Sequence, residues 1–354
     1  ALQLCNKIRR AIRDLKYISR DQVFGVTASI GVTVVDDAID SMSDLLNAAD
    51  TACKFVKDSG RDNVHVFHVG DDVLEKRRSE ISAVQRLTSA LEENRLVLFR
   101  QSIVPLRSGL GGKKHYELLV RMRTPEGMLV GPEEFLPLAE RYDLASRLDK
   151  SVISNALEWF TANPDELETL DMCAINLSGQ SLGSSDFREF VADKLRVTAF
   201  PAHKLCFEIT ETAAVTHLGA AIDLVEELKA FGCRFALDDF GSGLSSFGYL
   251  KALPVDIIKI DGTFVRDMAE DDINFVTVKS IADIAKALGL ETIAEFVEHG
   301  DIVEQLMSIG VDYAQGYHFG RPSLFIDPQR KSLRRSIPGN VMPINRAGAL
   351  PTPG

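Results

Sequence analysis

Hydrophobic positions near the start of the chain follow one period after another. Leu4, Ile8, Ala11, Ile12 and Leu15 recur at helical spacing and predict an amphipathic helix. Phe24, Val26, Ala28, Ile30, Val32 and Val34 then alternate with polar or small neighbours, which predicts one strand over residues 24–34. Ser41, with Asp44 three residues on, marks a capped helix start, and Leu45, Ala49, Ala52, Cys53 and Val56 form the inward face of that helix. A short strand from Val64 to His68 closes the segment. So few elements leave one face of a sheet bare.

From Asp71 to Asn94 a single amphipathic helix is predicted, striped with Ile81, Val84, Leu87 and Leu91, so that residues 70–94 read as a linker. Beyond it, short apolar runs ending in polar residues alternate with helical windows of about 10–18 residues. Phe231-Gly232, Leu288-Gly289 and Ile309-Gly310 share one device: a glycine stops a helix and an apolar run follows. This repetition predicts a β/α barrel over residues 85–325. No apolar period survives past Leu333. Residues 326–354, with Pro328, Pro338, Pro343, Pro351 and Pro353 beside the basic run Arg330, Lys331, Arg334 and Arg335, read as a mobile tail rather than a membrane-surface or partner-binding element.

Composition narrows the class. The 354 residues are 45% hydrophobic and 26% charged, as in globular proteins. No apolar run nears the roughly 18 residues of a membrane span. The chain opens without Met or a signal-type core, which reads as the cytoplasmic part of a larger protein. Five scattered cysteines lack zinc-ligand spacing and are expected to be reduced thiols. A net charge of −11 argues against a nucleic-acid polymer as partner. It does not argue against a phosphate-bearing substrate, because divalent cations can sit between two sets of negative charge.

The ends of the apolar runs carry the chemistry: Tyr116-Glu117, Ile175-Asn176, Phe207-Glu208, Leu237-Asp238-Asp239, Ile258-Lys259-Ile260-Asp261, Ala294-Glu295 and Ala314-Gln315. In a β/α barrel such ends converge on one face. Glu117, Glu208, Asp238, Asp239 and Glu295 would then share one opening, where they must take up protons or bind cations. Oxygen ligands without His or Cys suit Mg²⁺ or Mn²⁺ rather than zinc. Adjacent Asp238 and Asp239 can serve a metal pair about 3.5–4 Å apart, the arrangement used for in-line phosphoryl displacement. Lys259 adds a fixed charge able to orient and acidify an attacking water. The Gly241-Ser242-Gly243 turn gives a loop free to fold over the site. Glu117 and Lys259 are expected on the open face, where replacement spares folding. Singly, each of these polar residues is more readily a strand-end cap; in succession they are not.

These residues resemble the signature of the EAL family of cyclic di-GMP phosphodiesterases. The matching blocks are Glu117-Leu118-Leu119-Val120-Arg121, Pro132 to Glu140, Asn176-Leu177-Ser178, Glu208-Ile209-Thr210-Glu211, Asp238 to Gly243, Lys259-Ile260-Asp261, Ala294-Glu295 and Gln315-Gly316-Tyr317, in order across 85–325. The resemblance implies an α/β fold, a modified TIM (β/α)8 barrel with one antiparallel strand. It also implies two Mg²⁺ or Mn²⁺ ions and hydrolysis of cyclic di-GMP to linear pGpG. Glu117, Asn176, Glu208 and Asp238 would hold one metal, and Asp238, Asp239 and Glu295 the other. Lys259, Glu295 and Gln315 would be the catalytic groups around the water. Gln101, Arg121 and Asp261 would contact substrate. Glu211 would anchor the loop after Asp239, which the family couples to dimerisation, so a homodimer through the barrel is implied.

Departures from the family pattern leave every ligand in place. Arg100-Gln101-Ser102-Ile103 replaces Tyr-Gln-Pro-Ile and is expected to alter the substrate rim. Ser242 replaces Thr, and Phe296 stands where Gly often follows the glutamate, with bulk that could shift Glu295. Residues 1–69 resemble the C-terminal part of a GGDEF (diguanylate cyclase) domain through Ser29-Ile30-Gly31, Ala49-Asp50-Thr51-Ala52, Lys57 and Gly60-Arg61-Asp62-Asn63. The GGDEF hairpin is absent, Lys54 stands where an aromatic is usual, and an upstream sensory or complete GGDEF region outside this chain is expected. Enzyme, silent cyclic di-GMP receptor of the same fold, and interaction scaffold are the competing functions; the retained ligand set favours the enzyme.

Overall fold

A computed structural model describes residues 1–330 except 20–21, 36–40, 59–61, 68–71, 107–111 and 244–246. Expectations resting on Gly60, Arg61, His68, Asp71 and the tail beyond Arg330 lie outside the described residues. The chain divides into two compact units, residues 1–85 and 86–354.

In the first unit a helix over Leu2–Asp14 precedes an antiparallel hairpin, Lys16–Ser19 with Gln22–Gly25. Strand Ile30–Thr33 pairs in parallel with Val64–Phe67, and the helix Met42–Asp58 joins them. The single strand expected over 24–34 is therefore two, because its halves find different partners. Alternation specifies a face, not a partner. Gly31 lies so close to this helix that a Cβ there would strike the Ala49 carbonyl. A helix over Asp72–Glu92 follows.

The second unit is built on eight strands: β1 (Leu96–Pro105), β2 (Lys114–Arg123), β3 (Leu170–Leu177), β4 (Leu205–Thr210), β5 (Arg234–Phe240), β6 (Ile257–Ile260), β7 (Glu291–Ala294) and β8 (Tyr313–Gln315). Strands β2 to β8 run parallel in sequence order. Strand β1 closes the barrel by pairing antiparallel with both β2 and β8. The reversed strand implied by the sequence resemblance is thus β1. A short strand at Ser323–Ile326 adds to its side, so ordered structure reaches the start of the expected tail.

Period two then does the positioning. Met172, Ala174, Cys206, Ala236, Ile257, Ile293 and Tyr313 fill the barrel interior. Asn176, Glu208, Asp238, Lys259, Glu295 and Gln315 each stand two residues beyond one of these, on the same face at the C-terminal end. Glu117 departs from the sequence expectation: it is not at a strand end, because β2 continues to Arg123 along the whole length of β1.

All five cysteines are free. Among the described residues no helix is long and apolar enough to cross a membrane. The three glycine joints carry φ of +98° at Gly232, +74° at Gly289 and +85° at Gly310, the left-handed geometry that ends a helix. Nothing lies within 4 Å of where a Cβ on Gly289 would stand. Gly289→Ala therefore isolates the backbone cost, and urea unfolding is expected to show a loss of about 1 kcal/mol.

Candidate active site

The Lys259 ammonium is 1% exposed and lies 2.9 Å from Glu208 Oε2, 2.9 Å from Asp238 Oδ1, 2.9 Å from Glu295 Oε1 and 3.7 Å from Glu117 Oε2. Carboxyl oxygens of Asp238, Asp239 and Glu295 lie within 4.8 Å of one another. Asn176 Nδ2 donates to Glu117 Oε1 at 2.5 Å and Gln315 Nε2 to Glu117 Oε2 at 2.7 Å. Acidic groups separated by up to 178 positions in the chain thus share one end of the barrel. Glu117 and Lys259 line the open cleft as expected, but both are buried, contrary to the expectation that replacement spares folding. Replacing Lys259 must therefore disturb folding as well as chemistry.

Burial and mutual repulsion set the electrostatics. Burial pushes the Glu208 carboxyl well above its ordinary range, with Glu117 and Asp238 adding to the effect against Lys259. Burial likewise carries Glu295 up to about 8, helped by Asp238 and Glu117. Asp239 is raised by burial and then by Asp238 and Asp261. Glu117 goes the other way: burial raises it, but Lys259 and the amides of Gln315 and Asn176 outweigh burial and hold it below the usual range. Burial works against the Lys259 charge, yet the carboxylates around it carry its value up.

The donor set is all oxygen, and among the described residues Glu208 Oε1 and Gln315 Oε1 are buried with no hydrogen-bond partner. Hard-oxygen acceptors left unmet among like charges fit a divalent cation such as Mg²⁺ or Mn²⁺. A cleft of about 320 Å³ opens over the cluster, walled in part by Gln101, Arg121, Phe296, Glu298 and Tyr317.

Gln101 reaches the cluster through Gln315, 3.3 Å away, and Arg121 shares its strand face with Glu117 and Leu119. Asp261 stands behind Asp239 and spends one oxygen capping a short helix, accepting the Thr263 N–H at 2.7 Å. Glu211 accepts the Gly241 N–H at 2.9 Å and the Tyr249 hydroxyl at 2.8 Å, so both ends of the loop after Asp239 meet one buried carboxylate.

Two expected disturbances do not occur. Arg100 points away from the cleft, ion-paired with Glu166 at 2.7 Å and stacked 4.6 Å over Phe325. Strand alternation puts it and Ser102 on the face opposite Gln101. Phe296 adopts φ +53°, the conformation that favours glycine, and its ring packs on Gly262 under the Arg266 guanidinium. Glu295 consequently still reaches Lys259. Sequence reasoning missed Glu298 as a cleft wall, marked only by its nearness to Glu295, and gave no role to Tyr317, although it lies in a matching block. It missed also why Gly316 is required: a Cβ there would strike the Val297 backbone, where the loops after β7 and β8 exchange hydrogen bonds of 3.0 Å.

A barrel with clustered carboxylates and a lysine at the C-terminal ends of its strands defines a class, and comparison with known proteins narrows it. Residues 84–322 match the EAL domain, and the chain belongs to that family. Cyclic di-GMP phosphodiesterase PdeB of Shewanella oneidensis is 40% identical over 303 residues, covering 84% of this chain and 35% of that protein. Cyclic di-GMP phosphodiesterase PdeF of Escherichia coli is 34% identical over 250 residues, covering 71% and 33%. The chain thus spans about a third of the length of these curated relatives. The crystal structure of the FimX EAL domain from Pseudomonas aeruginosa bound to c-di-GMP superposes with a TM-score of 0.63 at 31% identity, covering 68% of this chain and 96% of that one.

Glu208, Glu295 and Asp239 have folded-state values above their unfolded ones, so each opposes folding increasingly as pH climbs from the ordinary carboxylate value toward the folded value, about 8 for Glu295. Glu117 contributes in the opposite sense. In EDTA, urea unfolding is expected to show stability falling from pH 5 to 8, and falling more steeply in Lys259→Met. Loss of the ammonium at pH 8 should cost about 3–5 kcal/mol, as for one partner of a buried ion pair.

Proposed function

We propose that the barrel is a two-metal phosphodiesterase that hydrolyses cyclic di-GMP to linear pGpG. The observation that carries this is the convergence of Glu117, Asp238, Asp239 and Glu295 on one cleft, with Asn176 bonded to Glu117 and Glu208 to Lys259 beside them. The names of the two relatives supply the substrate class.

Glu117, Asn176, Glu208 and Asp238 would hold one Mg²⁺ or Mn²⁺, and Asp238, Asp239 and Glu295 would hold the second. When bound, the cations supply the Lewis acidity that activates water and neutralises the diester. Lys259 holds a proton beside Asp238 and Glu295, where it orients the nucleophile and supports charge developing in the transition state. Gln315 fixes Glu117 through its Nε2 and presents its free Oε1 to the water. Arg121 and Gln101 on the cleft wall take the substrate phosphate and its neighbours. The exposed ring of Tyr317, backed on one side by Arg321 at 4.4 Å, offers a face on which a guanine stacks. Glu211 keeps the loop carrying Asp239 in register.

Incubation with cyclic di-GMP and Mn²⁺, followed by anion-exchange chromatography, is expected to yield pGpG. EDTA should stop the reaction and added Mn²⁺ restore it. Glu117→Ala, which removes a ligand and the partner of both amides, should lower kcat by at least about 10³-fold. Bound but intact dinucleotide after long incubation of the wild type would make the protein a receptor instead.

A further inference from the structure

Asp149 is a buried carboxylate that the chemistry above does not use. It lies on the core-facing side of the helix Ala145–Ala162, among Leu148, Val152 and Ile153. One of its oxygens, Oδ2, accepts three hydrogen bonds: from the Ser178 N–H at 2.9 Å, the Ser178 hydroxyl at 2.7 Å and the Ser181 hydroxyl at 2.7 Å. Burial pushes this carboxyl up to about 6, while the bonds from Ser178 and Ser181 pull it down.

Ser178 occupies the N-cap of the short helix Gly179–Leu182, yet its hydroxyl makes no capping bond. It turns instead to Asp149. Gln180 adds a second tie, accepting the Ala145 N–H at 3.2 Å and donating to the Glu140 carbonyl. Asn176 itself is exposed, and its side chain is held by the bond to Glu117; whether that bond can form depends on where the backbone at the end of β3 places it. That backbone is pinned two residues later, at Ser178.

We infer that Asp149 is a positioning residue for Asn176: by holding the Ser178 turn against the neighbouring helix, it sets where the Asn176 amide meets Glu117 and a bound cation. The inference rests on the metal-binding role proposed above and extends it outward from the cleft. Groups that orient ligands from behind commonly change metal affinity by about 10–100-fold when lost.

Calorimetric titration of the metal-free protein with Mn²⁺ tests it without turnover. Wild type should bind, and Asp149→Ala should bind about tenfold more weakly. Asp149→Asn, which keeps an oxygen acceptor for the Ser178 N–H, should recover most of the difference. Val152→Ala, on the same helix with no bond to Ser178, controls for loss of stability; thermal unfolding of each variant supplies the match. Wild-type affinity in a folded Asp149→Ala would overturn the inference and leave the metal site standing. Equal weakening in Val152→Ala at matched stability would overturn it too. No Mn²⁺ binding by wild type would sink both the inference and the metal site.

Discussion

A single ammonium holds the barrel's acidic end together. Lys259 makes close ion pairs with Glu208, Asp238 and Glu295 and stands near Glu117, all within a region from which water is largely excluded. In such a place carboxylates at contact distance cannot all ionise unless positive charge is interposed. One lysine is too little for this number of acids: burial first, and then their mutual repulsion, push Glu208, Asp239 and Glu295 upward. A site short of positive charge and rich in oxygen acceptors is one that cations complete.

Such a deficit persists only if the side chains cannot swing apart. The rigid barrel interior denies them that freedom, since each functional residue is one pleat beyond a packed apolar one. The loops around the rim are tied as well. Val297 and Gly316 interlock the connections after β7 and β8, and Glu211 clamps the connection after β5. Asp239 and Phe296, each next to a carboxylate of the cluster, both sit at φ +53°. Left-handed backbone at non-glycine residues costs on the order of 1 kcal/mol and survives where surrounding structure over-determines it. Here the surrounding structure is the interlocked rim.

Much of this was legible along the chain. The glycine joints at Gly232, Gly289 and Gly310 were readable because a helix that stops before a strand needs a left-handed residue, and only glycine takes that conformation freely. Most of the acidic set was readable because Glu208, Asp238 and Glu295 each directly follow an apolar run. Other features were not. Alternation over 24–34 could not say that its halves pair with different strands. Glu117 reads as a strand end although Leu118, Leu119 and Val120 follow it, and the strand is prolonged through them by pairing with β1.

Sequence by itself determined the barrel, its polar rim and the chemical type of that rim, since period-two patterning, glycine stops and residue chemistry are local properties of the chain. Tertiary structure alone decided which partners Arg100 finds, how Phe296 clears Glu295, and that Lys259 is buried. The reason is physical: partners, clearance and burial depend on what the remaining strands and loops bring alongside. Neighbours distant in the chain leave no mark on the local pattern.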